Sequence, residues 1–394
     1  MGVTPVPWSL PMGPRDTEEP HRAATPLELF FDLVFVVAVA TAAAELHHAL
    51  AEAHLDGALY FCLVFLAIWW AWVNYTWFAS AYDSGDVVFR LLSFVIMAGS
   101  LILAAGVPDL FADGQSVLAV AGYAVMRLAT VALWVRAAHG HPQGRRTALS
   151  YAAGITLVQV FWVLRLAIDG TTALLVTFAV GMACEFAVPW IAEHRGRTPY
   201  HPHHIAERYG LFTIIVLGEV VLSSVVAVQG ALGGEHTAGL VPLAAGAMLI
   251  VFSMWWLYFK RDHAPLFASG RTVFAAAYGH LLAFAAVAAT GAGIAVAVDV
   301  VTHHAHATTA VAAWSTAVPV AAYLLALGVM HALHDGPSAG VSALVTATAV
   351  LLAALVGIGA DLAVGWIVLL VGLVLAVAVA QHVLSGPHSL RSRT

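Results

Sequence analysis

An all-α polytopic membrane bundle of about twelve transmembrane helices is the fold this sequence predicts, and three observations carry the prediction. Hydrophobic residues make up 61% of the chain and charged residues 10%, with a mean hydropathy of +0.88; soluble domains carry about 25% charged residues. Apolar blocks follow one another from residue 27 to residue 384, each near the roughly 20 residues a helix needs to cross a hydrocarbon core about 30 Å thick. Lys and Arg are missing from alternate connections between those blocks.

The elements follow in chain order. Residues 1–26 read as a disordered cytoplasmic tail, crowded by Pro5, Pro7, Pro11, Pro14 and Pro20 and lacking the basic–apolar–small order of a cleaved signal. Cutting the rest at polar and Gly/Pro breaks places spans at 27–50, 56–80, 87–106, 115–138, 148–168 and 171–193, the first six-helix half (27–193). A cytoplasmic linker (194–206) precedes the second six-helix half (207–384), with spans at 207–230, 239–260, 273–298, 310–331, 340–360 and 362–384, and then a cytoplasmic tail (385–394). The break at Gly359–Asp361 is the weakest, so eleven spans is the alternative count.

Charge sets a direction. The connections after spans 1, 3, 5, 7, 9 and 11 contain no Lys or Arg, whereas Arg15, Arg22, Arg145, Arg146, Arg195, Arg197, Lys260, Arg261, Arg271, Arg391 and Arg393 gather in the tails and after spans 4, 6 and 8. Positive segments stay cytoplasmic, so both termini are expected inside. The halves also echo one another, with Glu28 and Glu207 opening corresponding spans and WWAWVNY (69–75) facing WWLYF (255–259), which suggests two parallel six-helix repeats.

Chemistry concentrates in spans 1 to 7, because no Lys, Arg or Glu falls between Val273 and Leu384. Glu28, Asp32, Arg90, Arg127, Glu185 and Glu219 interrupt otherwise apolar segments. A charge near the bilayer centre costs about 3 kcal/mol on insertion scales, so these six are the candidates for substrate or ion coupling, expected to share one protein-lined interior. Glu28 and Asp32 lie about 40° apart around a helix and share a face. Depth alone groups them with Arg90, and pairs Arg127 with Glu219. Arg208 and Glu219 differ by roughly 16 Å in height and cannot pair. Gly218 gives Glu219 close backbone access, and Ser223 follows one turn on. Asn74, Tyr75, Glu207 and Arg208 are secondary candidates. A buried ion-pair lock is the structural alternative to a working site.

Other chemistry is not signalled. Cys62 and Cys184 sit in apolar spans without metal spacing. The histidine tracts at 201–204, 303–306 and 139–141 lack the Cys or acidic partners of a metal centre, so no metal is expected. No Walker loop, GxGxxG, HExxH, GxSxG or CxxCH occurs, so no cofactor is expected either.

Four stretches, TPLELFFDLVFVVAVA (25–40), WWAWVNYTWFASAYDSGDVVFRLL (69–92), MRLATVALWVRAA (126–138) and HPHHIAERYGLFTIIVLGEVVLSS (201–224), resemble the bacterial low-temperature-requirement A family of membrane proteins. The resemblance covers the first seven spans. It implies that Glu28, Phe31, Asp32, Arg90, Glu207, Gly210 and Glu219 occupy the family's characteristic positions, while Val220 stands where a small polar residue is expected. It places the protein in the bacterial plasma (inner) membrane and fixes no reaction.

The leading functional expectation is a proton- or cation-coupled secondary transporter of a small solute, not an enzyme, with Glu219 as the carboxylate whose charge changes. An intramembrane enzyme or redox protein acting on a lipid-soluble substrate, and a non-catalytic membrane sensor or assembly factor, are the alternatives. The partners expected are the lipid bilayer and a small solute or ion, with no nucleic acid; the oligomeric state, a homo-oligomer included, is left open.

Overall fold

The computed structural model describes residues 6–384, apart from 18, 20–21, 233–236, 269–271, 337–338 and 359–361. Among the described residues there are helices and no strands. Twelve of the helices are long, and they follow the predicted spans in order. They are α1 (Pro26–Ala51), α2 (Gly57–Tyr82), α3 (Val87–Ala105), α5 (Val117–Gly140), α6 (Arg145–Leu164), α7 (Thr171–Glu193), α8 (Pro202–Leu232), α9 (Thr237–Phe259), α11 (Val273–Val301), α12 (Thr309–Asp335), α13 (Ala339–Ile358) and α14 (Val364–Leu384). Two short helices, α4 (Val107–Asp113) and α10 (Ala264–Ala268), and a 3-10 turn at Arg165–Ala167 complete the set. Ten helices among the described residues are long and apolar enough to cross a membrane. Large apolar side chains such as Leu157 (71% exposed) and Trp190 (63%) point outward, as lipid-facing positions of a multi-pass membrane protein do. The weak break at 359–361 and the C-terminal tail at 385–394 lie outside the described residues.

Helix starts obey local chemistry. Thr25 caps α1 and Pro26 takes its first position, where the missing N–H costs nothing. The Thr25 Oγ1 accepts from the Glu28 N–H at 3.3 Å, and Glu28 Oε2 accepts from the Thr25 N–H at 2.8 Å. That reciprocal pair is a capping box. The α8 start copies the plan. Its first residue is Pro202, and His201 Nδ1 accepts from the His204 N–H at 3.2 Å. α8 therefore begins five residues before the predicted span.

The chain forms two compact units, 1–42 with 63–211, and 43–62 with 212–394. In the first, α3 packs on α5, α5 on α6 and α6 on α7. A Cβ at Gly99 would lie 2.8 Å from the Gly122 carbonyl oxygen, so glycine is what lets α3 and α5 approach. Part of the segment expected to be a disordered tail is held, between Pro7 and Arg15. The Pro7 and Trp8 carbonyls accept from the Val87 and Val88 N–H groups, Leu10 N–H donates to Asp86 at 2.7 Å, and Met12 is 1% exposed. Proline removes donors from this segment, and the Leu10 and Arg15 N–H groups find α3 and α2 acceptors. Residues 1–5 lie outside the described set.

The second unit is built on α11 against α12 and α9 against α14. A Cβ at Gly246 would meet Val368 and Leu369 backbone atoms at 2.5 Å. Its interior is not wholly apolar. Tyr258, His263, His280 and His331 are buried together, with Tyr258 Oη and His280 Nε2 2.9 Å apart. At the α1–α2 and α11–α12 turns, His47 meets Asp299 and His306 meets Glu52, each at 2.6 Å.

Candidate functional site

Two buried charge clusters occupy the first unit, and one helix touches both. In the first cluster the opening turns of α1 and α8 meet in register. Glu28 faces His204 at 3.2 Å, and Asp32 faces Arg208. Each partner pair is separated by the same 176 residues. One helix supplies two acids, and the other supplies the bases at matching heights. Arg208 Nε and Nη2 grip the Asp32 carboxylate at 3.1 and 2.5 Å, the two-point geometry that suits guanidinium and carboxylate. Its Nη1 lies 3.1 Å from Glu28 Oε1 without hydrogen-bond alignment. The Trp72 indole N–H donates to Asp32 Oδ1 at 2.7 Å. Glu28, Asp32, His204 and Arg208 are all 0% exposed.

Formal charge decides what this cluster can do. Two carboxylates face one guanidinium, so with a neutral imidazole the cluster carries a net charge of −1. One proton on His204 makes it neutral. Arg22 and Asp83, the nearby buried pair of opposite charge, leave that balance unchanged. An uncompensated charge inside a membrane protein is expensive, so the proton content of the cluster and its access to water are linked.

The second cluster centres on Glu185 of α7. Its Oε2 accepts from Arg127 Nη2 at 2.7 Å and Trp70 Nε1 at 3.0 Å. Its Oε1 accepts from Tyr123 Oη at 3.1 Å, Trp162 Nε1 at 3.2 Å and Gln159 Nε2 at 3.3 Å. Five donors converge on a carboxylate that offers about four lone-pair sites. Such a group is immobile, and the Arg127–Glu185 pair is neutral as it stands. Trp70 and Trp72 lie two residues apart on α2, on nearly opposite faces, and send one indole N–H to each cluster.

The structure corrects several pairings expected from depth. Arg90 is exposed, and its Nε donates to the Gly85 carbonyl at 3.1 Å; Arg208 takes the place foreseen for it between Glu28 and Asp32. Arg127 pairs with Glu185 in place of Glu219. Glu219 belongs to the second unit, is half-buried, and has no ion pair among the described residues. Gly218 gives it no close backbone approach, since a Cβ there would have nothing within 4 Å among the described residues; the Ser223 side chain lies outside them. The six charges therefore do not form a single interior. Depth fixes height along the membrane normal but says nothing about which helices are neighbours.

The secondary candidates divide too. Asn74 Nδ2 donates to the Trp70 carbonyl at 2.7 Å, and Tyr75 Oη lies 2.8 Å from Ser93 Oγ with its ring stacked on Phe31 at 3.9 Å. Glu207 is exposed and accepts from the Ala24 N–H at 3.2 Å. Arg208 moves to the centre. His204 was read only as part of a loop tract, although Pro202 as a helix starter would have put it in the first turn of α8. Trp70 and Trp72 belong to the polar-aromatic WWAWVNY stretch, whose blander reading is an interfacial aromatic belt; Gln159 and Trp162 carry no signal, because an indole or amide in an apolar span resembles packing. No group of three or more His, Cys, Asp or Glu among the described residues is arranged to hold a metal.

The model of the family described as bacterial low temperature requirement A protein (LtrA) matches residues 23–378. An uncharacterized protein of Rhizobium meliloti (strain 1021) is 28% identical over 261 residues, which cover 62% of this chain and 60% of that protein. The chain thus matches less than two thirds of that relative's length. No solved structure matches the chain.

Proposed function

This chain belongs to the bacterial low-temperature-requirement A family, and from that premise we propose that it is a proton-coupled secondary transporter of a small solute in the bacterial plasma membrane, with both termini cytoplasmic. The observation that carries the reading is the α1–α8 ladder, in which four ionisable side chains meet at 0% exposure; by formal charge, one proton on His204 would take it from −1 to 0. A carrier needs such a centre, because a neutral cluster tolerates enclosure and a charged one favours contact with water. Glu28 holds the imidazole and caps α1, while Asp32 immobilises Arg208. The coupling role expected of Glu219 passes to Glu28 and His204, which have the partners that Glu219 lacks among the described residues. The Lys/Arg bias of alternate connections supports the orientation.

The test is proton flux into proteoliposomes loaded with a pH-reporting dye, driven by gradients of a panel of small polar solutes. Wild-type protein should acidify or alkalinise the lumen with one class of solute. His204→Gln, which keeps size and hydrogen bonding, should fold and abolish proton movement. Proton flux undiminished in a well-folded His204→Gln protein would remove this assignment.

A further inference from the structure

We infer that Arg127 and Gln159 form a binding subsite for a neutral group that presents an oxygen acceptor beside an N–H or O–H donor, as a carboxamide or an un-ionised carboxylic acid does. The inference deepens the transport reading and rests on it for one point only, that the bound group belongs to the carried solute.

The argument starts from unused hydrogen-bonding capacity. Arg127 is 1% exposed and Gln159 is 5% exposed. Arg127 gives Nη2 to Glu185, while its Nε and Nη1 are buried and hydrogen-bond no atom of the described residues. Gln159 gives Nε2 to the same carboxylate, while its Oε1 is buried and likewise unbonded. Leaving such groups unsatisfied costs about 1–3 kcal/mol for each neutral one and more for a charged one, so a protein tolerates them where a ligand completes them. The two side chains present complementary needs on either side of one fixed carboxylate. Arg127 requires an acceptor, and Gln159 Oε1 requires a donor.

Charge selects among ligands. The Arg127–Glu185 pair is already neutral, so an added anion would stand close to the Glu185 carboxylate and an added cation close to the guanidinium. A neutral group with both functions meets neither penalty. Position agrees with a carried solute. Arg127 lies near the centre of α5 (Val117–Gly140), at the depth where carriers place their substrate sites. Trp70 ties this cluster to the helix that also holds Asp32 through Trp72, which gives solute occupancy a physical route to the proton centre.

Binding is testable without any gradient, so its outcome is separable from failure of the transport reading. Acetamide is the neutral probe and acetate at neutral pH the anionic one, each titrated against thermal unfolding of the detergent-purified full chain, because a ligand that binds the folded state raises its apparent stability. Acetamide should give a saturable rise in Tm, and acetate none. Gln159→Met keeps volume and deletes both the unbonded oxygen and one of the five donors to Glu185, so with four donors in place it should still fold and lose the acetamide response. Saturation-transfer NMR between acetamide and the wild-type protein reports the same contact without a variant. A response to acetate alone would overturn the inference in favour of an anion site. No saturable response to either probe, or an acetamide response retained in Gln159→Met, would overturn it in favour of ordered water at these atoms.

Discussion

The Glu185 side chain separates a structural ion from a working one. Its carboxylate is saturated by donors from α2, α5 and α6, so any change of its charge leaves Arg127 without a counterion. Breaking one side of a buried pair costs about 3–5 kcal/mol, whereas replacing both sides with apolar groups is often close to neutral. Glu185→Gln should therefore lower stability by about that amount, and Glu185→Leu combined with Arg127→Met should recover only part of it, because the Trp70, Tyr123, Trp162 and Gln159 donors are left without their acceptor. Denaturant unfolding followed by tryptophan fluorescence would show the difference; a single variant as stable as wild type would mean that the Arg127–Glu185 pair does not hold these helices together. Asp32 has the same kind of partner, whereas the proton exchange proposed for this cluster falls to His204, which faces Glu28. Sequence reading found Glu185 and Arg127 by their improbability in lipid. It could not see that they belong to each other, because the indole and amide groups that fix them look like ordinary packing.

At the level of elements, helix ends and helix contacts carry the design. Asp86 starts α3, with Oδ1 accepting from the Phe89 N–H and Oδ2 from the Leu10 N–H and Arg136 Nη2, each at 2.7 Å. Burial alone would raise this carboxyl, but the Arg136 guanidinium and the two backbone N–H groups outweigh it and hold it below the ordinary aspartate value. A depressed folded pKa means the contribution is complete above the unfolded value near 3.8 and is lost as pH falls through the folded one. Hydrogen exchange across residues 7–15 should therefore rise only under strongly acidic conditions, and Asp86→Asn should raise it already at neutral pH. Protection in Asp86→Asn equal to wild type at neutral pH would mean the carboxylate does not hold the segment. Glycine contacts make a second case. Gly246→Ala would press a methyl into the α14 backbone at 2.5 Å, and overpacking of that kind costs about 1–3 kcal/mol. Gly218→Ala, with nothing within 4 Å among the described residues, should be neutral or should stabilise α8 by up to about 1 kcal/mol. Melting the two variants side by side gives the sign of each.

For the whole molecule, hydropathy was enough to read the order and length of the helices. The span expected at 171–193 is α7 (Thr171–Glu193), and the one expected at 273–298 is α11 (Val273–Val301). What composition could not convey was neighbourhood. Arg90 and Arg208 both flank apolar runs, and only the side-chain contacts show that Arg208 of α8, not Arg90 of α3, meets the acids of α1. Orientation is written in charge instead, and it can be checked directly. Leu55, 64% exposed between α1 and α2, sits in a connection without Lys or Arg, while the exposed Gln143 adjoins Arg145 and Arg146 between α5 and α6. Basic loops resist translocation, so these two positions should face opposite sides. In a background with Cys62 and Cys184 replaced by Ala, a single Cys at position 55 should react with a membrane-impermeant maleimide on intact cells. A Cys at position 143 should react only after the membrane is opened. The reverse pattern would invert the protein and put the Glu28–His204 end on the outer side; labelling of both positions on intact cells would mean that an even number of crossings, and not the three of α2, α3 and α5, separates them.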